Sequence, residues 1–193
     1  MRGYRYFCFL MLVVSIVIAN LSEASPWSQH VFDRISGMST EPLVDDLLTL
    51  AVFSGVESDD TEDIAARQQA WMRLKATPDF ADRLAGHIRA EKERWLSGKE
   101  LSSSRYDNER SRTLAPMRNL PHPSVVRVLG EFLPDTEWPG NDIPIKAAMD
   151  GSPPPNALLA ARALGQLIEK PPLQKNPDEY SLDDVKTWEL WYA

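Results

Sequence analysis

The chain has 193 residues, of which 43% are hydrophobic and 25% charged, and a formal net charge of −7. This is the composition of a globular protein, one domain or one domain with an appendage. The acidic balance opposes sequence-independent nucleic-acid binding and docking on anionic lipid, since both need a cationic surface.

The first segment reads as a targeting signal. Arg2 and Arg5 precede FCFLMLVVSIVIA at residues 7–19, and Ser22 and Ala24 are small residues suited to cleavage after Ala24. Positive, apolar and small residues in that order predict a secretory signal peptide over 1–24 and an exported protein, periplasmic or secreted. The apolar run is shorter than the ~20 residues of a membrane span. The mature form is therefore expected off the membrane; only an uncleaved segment would anchor it. Cys8 is the only cysteine and lies inside that run, so the mature chain has no thiol for catalysis, metal binding or a disulfide.

Helical periodicity follows. Residues 26–37 place Trp27, Val31 and Ile35 at four-residue spacing before Gly37. Thr40 as cap and Pro42 in the first turn introduce LVDDLLTLAVFSGV, with stripes Leu43/Leu47/Leu50 and Val44/Leu48/Ala51. Asp59, Asp60 and Thr61 are cap types for a helix carrying Ile64, Ala70, Trp71 and Leu74. Thr77 and Pro78 start another, with Phe80, Leu84, Ile88 and Trp95, closed by Gly98. Short links between these helices imply antiparallel neighbours.

Residues 99–118 are polar and irregular and read as a connector that can hold one helical turn or more around 105–115, with a solvated cluster of Arg and Lys. A helix is expected over 123–134, with His122 part of its entrance between Pro121 and Pro123. The stretch 134–155 holds six prolines and two glycines and reads as a long loop with at most a short helix around 144–149. A helix capped by Asn156 covers 156–169. After a second loop, Ser181 caps a final helix with Leu182, Val185, Trp188 and Tyr192 on one face. No stretch has the two-residue alternation of a hairpin, so the predicted fold class is all-α.

VVRVLGEFL at 125–133 and AARALGQLI at 160–168 align without a gap, matching Arg127 with Arg162, Leu129 with Leu164 and Gly130 with Gly165. Each is flanked by prolines. A glycine inside a helix costs roughly 1 kcal/mol relative to alanine, so its recurrence implies a close neighbour there. A helix of this pattern, repeated at such a spacing, resembles the HEAT-repeat group of α-solenoids over residues 119–170. The resemblance implies antiparallel helix pairs packed as a HEAT-like bundle or short irregular solenoid, with residues 26–193 forming one domain. It also implies a scaffold that binds a protein partner.

Catalytic signatures are absent from the sequence. His30, His87 and His122 lack metal-site spacing, and no nucleophile elbow, phosphate loop or dinucleotide fingerprint occurs. Asp45–Asp46, Asp59–Asp60 and Asp183–Asp184 are adjacent pairs, which diverge on a helix. The expectation is a non-catalytic, exported binding protein with no cofactor and no metal. Its candidate binding residues are Trp138 in the Pro-rich loop, Arg127 and Arg162 beside the apolar stripes, and Trp188 and Trp191 at the C-terminus. Tryptophan and arginine are the types favoured at binding hot spots, although Trp188 and Trp191 also suit docking of the last helix on its own domain, and the two arginines suit ion pairing or carbonyl capping. A small helical envelope hydrolase using Asp or Glu in a cleft, and a purely structural envelope protein, are the alternatives.

Overall fold

The computed structural model describes residues 26–56, 59–97, 103–137 and 154–193. The proposed signal peptide, Trp138 and the helix expected around 144–149 lie outside these. The described residues form an all-α bundle, with no strand among them. None of their helices is long and apolar enough to cross a membrane.

The helices are α1 (Pro26–Ser36), α2 (Val44–Ser54), α3 (Thr61–Lys75), α4 (Phe80–Leu96), α5 (Ser103–Met117), α6 (Pro123–Glu131), α7 (Asn156–Leu167) and α8 (Leu182–Tyr192). A 3₁₀ turn, Pro177–Glu179, precedes α8. The apolar stripes of α1 to α4 point inward as their periodicity requires: Val31, Leu47, Leu50, Leu74, Leu84 and Ile88 are fully buried. They join Leu114, Val128, Leu129 and Leu164 in one continuous core. Each such side chain contributes roughly 1.5–3 kcal/mol by leaving water.

Several local expectations are corrected. The connector over 99–118 contains a 15-residue helix, α5. Its buried face runs through Tyr106, Asp107, Arg110, Thr113, Leu114 and Met117, a helical spacing concealed because two charged residues occupy inward positions. Leu43, not Thr40, is the N-cap of α2, with its N–H donated to Asp46 Oδ2 at 3.1 Å. Thr77 does not cap α4. Its hydroxyl donates back to the Arg73 carbonyl at 3.2 Å, and the turn is completed by Asp79 in the left-handed region (φ 52°), which a short polar side chain tolerates. α6 ends at Glu131 rather than 134. Asn156 is the first residue of α7 rather than its cap, and it is buried.

Other starts follow the sequence. Asp60 caps α3 by accepting from the N–H groups of Glu62 and Asp63 at 2.8 and 3.4 Å. His122 caps α6: its Nδ1 accepts the Ser124 N–H at 3.3 Å, while its ring packs edge-on against Phe80 and Trp71. In α8, Ser181 and Asp184 close reciprocally, with the Ser181 N–H and hydroxyl both donating to Asp184 Oδ2 at 2.7 Å.

The stacking of α4 to α7 positions the candidate site. Along α4, Asp82 meets Arg127, Arg89 meets Glu131, and Lys92 meets Asp135. The partners ascend together, so α4 and α6 lie side by side and parallel. α5 and α7 do the same. Tyr106 and Arg110 meet Asn156 near the start of α7, and Leu114, Ala115 and Arg118 share a hollow with Leu159, Arg162 and Ala163 farther along. Each helix of this half therefore lies beside the helix two places on, giving two layers. α3 packs on α1 and α2, and α8 packs on α7.

Candidate functional site: a charged cleft between α4 and α6

α4 presents Asp82, Arg89, Lys92 and Leu96 on one face, and α6 with the residues after it presents Arg127, Glu131, Phe132, Asp135 and Glu137. Arg127 bridges two carboxylates, donating to both oxygens of Asp82 at 2.7 Å and to Glu131 at 2.6 Å. Glu131 also takes Arg89 at 2.6 Å, and the Arg89 guanidinium lies over the Phe132 ring, 5.3 Å from its centroid. Lys92 ends the ladder between Asp135 at 2.6 Å and Glu137 at 2.7 Å. Burial works against the charged Lys92 amine, but these two carboxylates outweigh it and raise the pKa above the usual lysine value. Beside Arg89, Lys92 and Leu96 opens a cleft of about 600 Å³, closed on the other side by Phe132, Pro134 and Glu137. Leu96 is 58% exposed.

A buried polar network forms the wall behind Lys92. Asn156 Nδ2 donates to Asp135 Oδ2 and to the Tyr106 hydroxyl, both at 2.9 Å. Its Oδ1 accepts from Arg110 at 3.4 Å. Arg110, 1% exposed, also donates to the Pro154 carbonyl and holds Asp107 Oδ1 through Nε and Nη2, each at 2.7 Å. Burial pushes the Asp107 carboxyl up, against the pull of Arg110, and it pushes the Tyr106 hydroxyl up as well. Trp95 stacks parallel on Tyr106 at 5.2 Å.

The network joins the two ends of the proline-rich stretch. The Ala157 N–H donates to the Asp135 carbonyl at 2.9 Å, beside the Asn156–Asp135 bond. Residues 135 and 156–157 therefore sit together, behind the cleft. The sequence reading missed Lys92, Tyr106, Arg110, Asp135 and Asn156. The available trace was the helical spacing from Tyr106 to Met117; nothing in the sequence pairs positions 92, 135 and 156.

The predicted site residues separate. Arg127 belongs to the ladder. Arg162 lies on α7, facing α5 and the 3₁₀ turn, and donates to the Tyr180 carbonyl at 3.1 Å. The two arginines thus do not share an edge. Trp188 is fully buried and belongs to the core between α8 and α7. Trp191, edge-on to Trp188 at 5.3 Å, is 42% exposed. It stands next to Tyr192, whose hydroxyl donates to the Arg127 carbonyl at 3.0 Å. Arg127 and Trp191 are thereby brought to one end of the bundle.

Among the described residues no His, Cys, Asp and Glu group is placed to hold a metal ion. Within the cleft, Glu131, Asp135 and Glu137 are each engaged by a cation. No known family, curated protein or solved structure matches the chain.

Proposed function

We propose that this chain is an exported binding or scaffold protein, HEAT-like in its stacked helices, that engages a protein partner at the cleft between α4 and α6. The observation that carries the reading is the clamp of Asp135 on Asn156 and Ala157. It fixes the start of α7 behind Asp135, on the wall of a cleft lined by Arg89, Leu96 and Phe132. Cations, carboxylates and an apolar floor alternating along a groove suit an extended polypeptide, whose main-chain groups and side chains need all three. The HEAT-like element of this reading rests on the parallel layers α4/α6 and α5/α7. It is not supported by the 35-residue sequence repeat as such, because that repeat matches α6 with α7, two helices of different layers.

The test is affinity capture from the exported fraction with the wild-type protein and with an Arg89→Glu, Leu96→Asp double variant, both positions being well exposed. The expected result is a specific protein recovered by the wild type and lost by the variant. Recovery of no specific protein, or of the same protein by both, would overturn the reading. The hydrolase reading would have to use Glu93, the cleft carboxylate outside these ion pairs, since Glu131, Asp135 and Glu137 each hold a cation.

A further inference from the structure

On another side of the bundle, the end of α2, the middle of α3 and the α5–α6 link enclose a hollow of about 350 Å³, lined by Arg67, Gln68, Trp71 and Asn119. Arg67 has five N–H donors. Within the described residues it uses one, donating to the Val56 carbonyl at 3.3 Å, and no carboxylate pairs with it. Lys75, over the Trp71 ring at 5.2 Å, and Arg118, in the adjoining hollow, also lack a carboxylate among the described residues. On a chain of net charge −7, where the α4–α6 face pairs its cations one by one, these three stand near an aromatic wall with no carboxylate bound to them among the described residues.

The adjoining hollow, about 280 Å³, shares Gly55 and Asn119 with the first and is lined by Val52, Val56, Ala115 and Pro116. Val52 is 45% exposed. Asn119 forms the ridge between the two, its Nδ2 donating to the Gly55 carbonyl at 3.2 Å. Its amide oxygen is left to accept a backbone N–H.

We propose that this double hollow binds an acidic peptide, with a carboxylate on Arg67 beside Trp71, the neighbouring apolar side chain on Val52, Val56, Ala115 and Pro116, and the peptide backbone crossing at Asn119. An arginine in a partly desolvated hollow favours a carboxylate through charge-assisted, bidentate donation, and an apolar pocket next to it selects the adjacent residue. The inference is independent of the α4–α6 cleft, because no residue is shared between them.

The test is an NMR titration of the protein with three capped dipeptides: N-acetyl-Leu-Glu-amide, N-acetyl-Leu-Gln with a free C-terminal carboxylate, and neutral N-acetyl-Leu-Gln-amide. Saturable shifts are expected at the Gly55 and Asn119 amides and the Trp71 indole with one or both carboxylate probes. Whichever of those two binds tells a side-chain from a terminal carboxylate. Arg67→Gln should weaken that binding at least about fivefold, and Arg67→Lys should keep part of it. Equal binding of the neutral peptide, or shifts absent from these three residues, would overturn the proposal. If Arg67→Gln fails to fold, the charged-versus-neutral comparison on the wild type decides alone.

Discussion

The Tyr192 ring occupies the place where a side chain on Gly130 would stand: a Cβ there would lie 2.0 Å from the ring's Cε2. The matched glycine of the repeat has the same use. A Cβ on Gly165 would lie 2.8 Å from the Tyr180 ring and 2.9 Å from Pro177. The repeat is thus a pair of seats for tyrosines, one at the tip of α8 and one at its entrance.

The two seats should respond differently to alanine. Tyr192 is 38% exposed in the last turn of α8 and can swing into solvent, so Gly130→Ala loses the hydrogen bond to the Arg127 carbonyl but gains about 1 kcal/mol of helix propensity. Global stability by urea denaturation should change by less than about 1 kcal/mol, while amide exchange in the last turn of α8 accelerates. Tyr180 is 1% exposed and has nowhere to go, so Gly165→Ala should cost about 1–3 kcal/mol through overpacking. Gly130→Ala proving the more damaging of the two would show that this assignment is mistaken.

Breaking the buried network should be far more costly than breaking the exposed end of the ladder. Asp107→Ala removes the buried carboxylate that Arg110 holds through Nε and Nη2, a loss of about 3–5 kcal/mol. Asp82→Ala removes one partner of an exposed pair, 43% and 46% accessible, and should cost less than about 1 kcal/mol, falling further at high salt. Denaturation curves at low and high ionic strength measure both; similar losses would mean that burial does not set the difference.

Asn156→Ala should destabilise by about 1–3 kcal/mol, since Tyr106, Asp135 and Arg110 each lose a partner. Its distinguishing effect should be faster exchange of the Ala157 amide, which is bonded to Asp135. An Ala157 amide that stays as protected as in the wild type would show that the clamp does not depend on Asn156.

Asp184 provides a pH signature. The Lys175 ammonium, with the Ser181 N–H and hydroxyl, lowers its pKa from 3.8 to about 2. A folded-state value below the unfolded one stabilises the protein above pH 3.8, and that contribution fades as pH falls toward about 2. The stability difference between wild type and Asp184→Asn should therefore be constant near neutrality and shrink across that window. A difference that widens with acid would reverse the assignment.

Helix positions were legible in the sequence wherever one face was apolar at helical spacing, as in α2, α4, α6 and α8. α5 was obscured because Asp107 and Arg110 stand on its buried side and neutralise each other, an arrangement that reads as solvent-facing until the partners are known. Cap residues misled where a second use of the same side chain won. Thr77 bonds backward to α3, and Asn156 spends its amide on Tyr106 and Asp135.

The sequence by itself determined the all-α class, most helix spans and the identity of the small residues that a neighbour must approach, because these depend on local spacing and backbone sterics. Only the tertiary structure decided what those neighbours are. The contacts that matter most join positions 42 to 45 apart along the α4–α6 ladder and 46 to 50 apart between α5 and α7, whereas the visible repeat has a period of 35. Side-chain charge pairing across layers carries no period of its own. It forms when packing brings two faces together, and so the cleft and the buried, clamped wall behind it emerge only once the helices are stacked.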